Sequence, residues 1–133
     1  MAERGNVVKL GYRLKGLKAR QVNVEEIVYR EFLTAAVRCN LLPRSWRLMV
    51  DMEVRPAPET LYKVFKTLRE YNRVDSAKRF RTELHRAGVQ LNNSTLAEFG
   101  RVLDPSTDMD LLLQTCNDIL QAGEPLVGDA QKV

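Results

Sequence analysis

The sequence predicts an all-α protein of about three antiparallel helical hairpins, and three observations carry that prediction. From Asn23 onward, apolar residues recur three and four positions apart, which is the period of a helix. No segment shows the period-two alternation that a half-buried strand requires. Hairpins starting near residues 24, 59 and 94 imply a repeat of about 35 residues, the period of stacked helix pairs. The chain has 133 residues, 44% of them hydrophobic, which suits one modest core. It divides into a basic extended arm over 1–22, a helical-repeat domain over 23–124 and a flexible tail over 125–133.

The first helix is expected over 24–40, where Tyr29, Phe32, Leu33, Ala36 and Val37 form one stripe. Asn23 supplies its N-cap and Glu25-Glu26 the capping-box acid. Leu41-Leu42-Pro43 interrupts it, and Pro43 opens a short second helix carrying Trp46, Leu48, Met49 and Met52. Arg55-Pro56-Ala57-Pro58 separates the first hairpin from the second. There Leu61, Val64, Phe65 and Leu68 line one helix, Asn72-Arg73 turns the chain, and Ala77, Phe80 and Leu84 line the next. Gly88 closes that helix in a C-cap position. Residues 89–93 form a loop, and Leu96, Phe99, Val102 and Leu103 begin the third hairpin. Asp104-Pro105-Ser106-Thr107 breaks it before Met109, Leu112, Leu113, Cys116, Ile119 and Leu120, with an end at Gly123.

Charge is unevenly distributed. Residues 1–22 carry six basic side chains and one acid, Glu3, whereas the remainder is close to neutral. Residues 44–86 are basic on balance, and residues 98–129 hold seven acids with Arg101 as the lone base. Such sorting points to docking against charged partners: an acidic or phosphate-bearing one for the basic surface, a basic one for the last hairpin. Gly5, Gly11 and Gly16 discourage a helix in the first 22 residues, so that segment reads as extended. It is open to three readings: an arm threading between neighbours, a loose terminus, or a mitochondrial targeting segment. As an arm, its partner-binding residues are Lys9, Arg13, Lys15, Lys18 and Arg20, joined on the body by Arg55, Lys63, Lys66 and Arg73. RNA is a possible partner of those basic side chains.

Chemistry-bearing patterns are scarce. Cys39 and Cys116 have no CxxC partner and are expected as buried thiols or, if close, a single disulfide. His85 is the only histidine and is expected to cap carbonyls at a helix C-terminus. Asp108 and Asp110 are expected to favour a helix dipole rather than a cation. Neither GxGxxG nor GxxxxGK[ST] occurs. Trp46 and Tyr62 read as core aromatics, with interface anchors as the alternative. The expectation is therefore a protein with no catalytic residues, no cofactor, no metal, no membrane span and no small-molecule substrate.

Glu59 to Asn92 resembles a pentatricopeptide repeat, through Leu68, Asn72-Arg73, Ala77, Phe80, Leu84 and Gly88-Val89. In that family a polar residue near the start of the first helix reads an RNA base. Here the equivalent positions are Glu31, Lys63 and Ala97, a departure that speaks against base-by-base reading. A second likeness covers more of the chain. Arg55-Pro56-Ala57-Pro58, Leu61, the Arg69 to Asn72 turn, Ser76-Ala77, Arg79 and Leu84 resemble the central hairpin of the cytochrome c oxidase subunit Va family, called subunit VI in fungi. Glu25-Glu26 and Trp46 extend that likeness over roughly residues 25 to 90. Its structural signature here is Pro56, Pro58, Asn72, Ala77, Phe80, Leu84 and Gly88.

This second resemblance implies a short right-handed superhelix of helix pairs, an accessory role without catalysis or metal, protein subunits as partners, and a place on the matrix side of the mitochondrial inner membrane. The alternative expectation is an RNA-associated helical-repeat protein of a mitochondrial ribosome or RNA-processing complex.

Overall fold

A computed structural model describes residues 2–122, and over that span the chain is helical with no strand. Seven helices follow one another: α1 (Ala2–Ala19), α2 (Glu26–Arg38), α3 (Leu42–Asp51), α4 (Pro58–Glu70), α5 (Val74–Arg86), α6 (Asn93–Val102) and α7 (Met109–Ala122). α2 lies against α4 and α4 against α6, so these three make one layer. Each pairs with the helix that follows it; α5 also touches α3 and α6, and α1 touches α2 and α3. The expected helix end at Gly123 and tail at 125–133 lie outside the described residues.

The three hairpins repeat in register. α4 begins 32 residues after α2, and α6 begins 35 after α4. The same offsets superpose Tyr29 on Leu61 and Leu96, Phe32 on Val64 and Phe99, and Ala36 on Leu68 and Leu103, all buried. Phe65 sits at the middle of this core, 5.3 Å from the Phe80 ring and 5.6 Å from Phe99, while Trp46 meets Phe80 edge-on. Offset and edge-to-face contacts of this kind suit the aromatic quadrupole.

Five helix ends, those of α1 to α5, share one device. Gln21, Asn40, Glu53, Asn72 and Gly88 all adopt positive φ between 53° and 74°. The next N–H in each case reaches the carbonyl five residues back: Val22 to Leu17, Leu41 to Ala36, Val54 to Met49, Arg73 to Leu68 and Val89 to Leu84. This is the Schellman arrangement, which satisfies carbonyls left over at a helix end. Gly88 and the Asn72 turn were legible beforehand; Gln21 and Glu53 were not, because neither side chain favours the left-handed region.

The first 22 residues correct the expectation of an extended arm, since α1 is a helix of 18 residues. Glycine propensity argues against it, but packing decides: Val7, Gly11 and Leu14 share one face and are buried against α2 and α3. A Cβ at Gly11 would stand 3.0 Å from Leu48 and 3.3 Å from Phe32, so glycine at this position lets α1 approach. Gly5 and Gly16 face open space. Capping of α2 is also corrected. Its N-cap is Glu25, without a side-chain cap bond, rather than Asn23. Glu26 instead accepts from the Ala57 N–H at 2.8 Å and the Thr60 hydroxyl at 2.5 Å, capping α4 from the neighbouring hairpin. Thr95 is the counterpart of Thr60 one hairpin on, but Pro58 stands where Glu26 stood. Its hydroxyl is consequently buried without a partner.

Two pairs of substitutions test this packing by urea denaturation. Gly16→Ala should raise stability by about 0.5–1 kcal/mol through helix propensity. Gly11→Val should lower it by about 1–3 kcal/mol through overpacking against Phe32. Thr95→Val should be neutral or stabilising, because it removes an unsatisfied buried hydroxyl, whereas Thr60→Val should cost about 1 kcal/mol by leaving Glu26 short of a donor.

Candidate docking surfaces

The residues expected to bind partners separate into two groups. Lys9, Arg13, Lys15 and Lys18 are exposed on α1, with Arg20 exposed just past its end. A helix, unlike an extended arm, sorts them by angle. Lys9, Arg13 and Arg20 line the side turned away from Val7 and Leu14, and Tyr12 is exposed beside them. The lone acid of the segment, Glu3, is taken up by Arg38 of α2 at 2.8 Å. On the body, Lys63 is exposed on α4 and Lys66 is half-buried one turn further. Arg73 is the N-cap residue of α5 and half-buried. Arg55 is exposed and donates to the Ala87 carbonyl at 2.8 Å, which ties the link between the first and second hairpins to the end of α5.

The signature residues prove structural. Pro56 is buried, Pro58 begins α4, and Asn72 and Gly88 hold left-handed φ. Ala77, Phe80 and Leu84 fill the core. Trp46 is buried as expected, and Tyr62 is half-buried with its hydroxyl 3.5 Å from Glu98.

Charge sorting along the body has an internal explanation that the sequence did not reveal. The basic second hairpin and the acidic third hairpin meet each other. Lys78 donates to Asp108 at 2.7 Å and Arg81 to Asp118 at 3.2 Å, both joining α5 to the α7 region. Arg69 donates to Glu98 at 2.8 Å across α4 and α6, and Arg101 donates to its other oxygen at 2.6 Å. Glu98 is 1% exposed, the one buried carboxylate among the described residues. Burial alone would raise its pKa, but hydrogen bonds from Arg69 and Arg101 bring it below the usual carboxylate range. Lys78 likewise holds the Asp108 carboxyl low. A signal for Glu98 was present, since it falls among Leu96, Phe99 and Val102 on the apolar stripe. The helical register also corrects an alignment: Glu98, not Ala97, stands where Lys63 stands on α4 and Glu31 on α2.

Remaining chemistry is sparse. Cys39 is half-buried at the end of α2, with burial pushing its thiol up, and Cys116 is exposed on α7, which corrects the expectation of a buried thiol there. Both are free. His85 is exposed in the last turn of α5. Among the described residues no group of His, Cys, Asp and Glu could hold a metal ion, and no helix is long and apolar enough to cross a membrane. One apolar cleft of about 220 Å³ opens between α1 and α3, lined by Val7, Gly11, Phe32 and Leu48 with Arg44 and Arg47 at its edge. No family model, curated protein or solved structure matches this chain.

The buried ion cluster makes a pH prediction. Glu98 titrates lower folded than unfolded, so its contribution is full above the unfolded carboxylate value of about 4.3 and is lost as pH falls through the folded one. Thermal melts should show wild type losing stability more steeply than Glu98→Gln below about pH 5. At neutral pH that variant should be less stable by about 1–2 kcal/mol, since both arginines can turn to water.

Proposed function

We propose that this chain is a helical-repeat docking subunit, an accessory protein that stabilises a larger assembly rather than one that performs chemistry. The observation that carries the proposal is the register of the hairpins: three pairs share offsets of 32 and 35 residues and bury the same positions. Stacked pairs of this kind bury their apolar faces on one another and leave continuous helix faces for partners. In this reading the stack coils as a short right-handed superhelix.

The likeness of roughly residues 25 to 90 to the cytochrome c oxidase subunit Va family makes the matrix face of the mitochondrial oxidase the first assembly to examine. The surface offered to it is α1, with Lys9, Arg13, Lys15, Lys18 and Arg20, and the exposed part of α4 at Lys63. The ion pairs between α5 and α7 are internal, so the acidic hairpin is not assigned a basic partner through Asp108 or Asp118.

A second reading rests on one specific observation: the exposed bases of α1 face no acid of their own segment except Glu3, which Arg38 occupies. That surface suits phosphates, as in an RNA-associated protein of a mitochondrial ribosome or processing complex.

One isolation separates the two. The full chain, tagged at its C-terminus, is recovered gently from mitochondria and resolved by native size with and without ribonuclease. Co-migration with oxidase subunits, unaffected by ribonuclease, is the expected result. Release by ribonuclease, together with salt-dependent RNA binding lost in Lys9→Glu/Arg13→Glu, would transfer the protein to the RNA-associated reading. Recovery as a free 15.2 kDa chain would overturn both.

A further inference from the structure

α1 repeats the way the second helix of the first two hairpins ends. α3 is followed by left-handed Glu53 and α5 by left-handed Gly88, and four residues on, Ala57 and Asn92 N-cap α4 and α6. α1 is followed by left-handed Gln21, and four residues on, Glu25 N-caps α2. The neighbours agree as well: α1 touches α2 as α5 touches α6, and α1 touches α3 as α3 touches α5. α1 therefore stands where the second helix of a preceding hairpin would stand. Among the described residues, none occupies the seat that a first helix takes beside it, against α1 and α2.

α2 records this in its burial. Thr60 and Thr67 on the side of α4 that meets α2 are 0% and 4% exposed, and Thr95 and Val102 on α6 are 1% and 7%. Their counterparts on α2, Val28 and Ala35, are apolar yet only partly buried, and Ile27 is half exposed. On α1 the half-buried Leu10 and Leu17 flank the same groove, with Lys9, Arg13 and Arg20 along its rim. At the opposite end of the helix layer, α7 presents its own stripe, unpartnered among the described residues. Met109, Leu113 and Leu120 are 47%, 59% and 70% exposed, and Cys116 completes the i, i+4, i+7, i+11 pattern. α7 carries no basic residue; of its two acids Asp110 is exposed and Asp118 is held by Arg81 of α5.

We infer that α7 of one copy seats in the α1–α2 groove of a second copy, joining the chains head to tail. The two faces are complementary on three counts. Both are apolar and unpartnered among the described residues, the bases along the rim of the groove have the exposed Asp110 beside the stripe to meet, and α7 at 14 residues matches α2 at 13 in length. Because the surfaces differ, each contact leaves a free groove at one end and a free stripe at the other, and the association propagates. This goes beyond the docking reading and does not depend on it.

Sedimentation velocity of the full chain tests the inference. Wild type should rise in mass with concentration above the 15.2 kDa monomer. Leu113→Glu/Leu120→Glu should remain monomeric, and so should Lys9→Glu/Arg13→Glu, each with wild-type helicity because all four side chains are exposed. Mixed together, these two variants should form a 1:1 dimer and nothing larger, since one retains the stripe and the other the groove. A wild type that stays monomeric at every concentration overturns the inference. So does continued self-association of Lys9→Glu/Arg13→Glu alone, which would mean a symmetric α7 contact, or a mixture that sediments as two monomers.

Discussion

Everything in this molecule depends on the seam where α2, α4 and α6 lie side by side. A single helical hairpin of this size cannot enclose its apolar face, so each one is stable only with a neighbour laid against it. Phe32, Val64 and Phe99 occupy the same turn of the three helices, and Phe65 links the layer to Phe80 on α5. With interiors packed at near-crystalline density, this alignment fixes how far each hairpin can slide along its neighbour. The positions of the surface charges follow from that register.

Polar groups along the seam add specificity to the apolar packing. Glu26 caps the start of α4 from the next hairpin, a bond that exists only when the two hairpins are in register. Glu98 does the equivalent between α4 and α6 through Arg69. A buried carboxylate is costly unless its lone pairs are used, and here two guanidinium groups use them while remaining in touch with water. Thr95 shows the rule by its exception: with Pro58 in place of a carboxylate, its hydroxyl is left without an acceptor or donor.

The distribution of charge acquires a different meaning once the hairpins are placed. In the linear chain, a basic middle and an acidic end suggest two external partners of opposite sign. Folding brings the two together, and Lys78, Arg81 and Arg69 are matched by Asp108, Asp118 and Glu98 within the chain. Among what stays exposed are the basic side of α1 and the apolar stripe of α7, at opposite ends of the layer. Function is therefore argued from the ends and the helix faces of the stack.

The amino-acid pattern alone determined the helical class, the hairpin spacing, the turn at Asn72, the stop at Gly88 and the burial of Ala77, Phe80 and Leu84, because all of these are set by residues within one or two turns of each other. It misled at α1, where local glycine propensity says extended and the fold says helix, since the deciding contacts are Gly11 with Phe32 and Leu48. Asn23 was likewise a plausible cap, but Glu26 found its partners some thirty residues away. Glu98 looked like one acid among seven until Arg69 and Arg101 enclosed it. The division is physical: short-range periodicity and backbone conformation are written in neighbouring residues, while pairing of charges, close approach of helices and the faces left unpartnered depend on which hairpins the packing sets side by side.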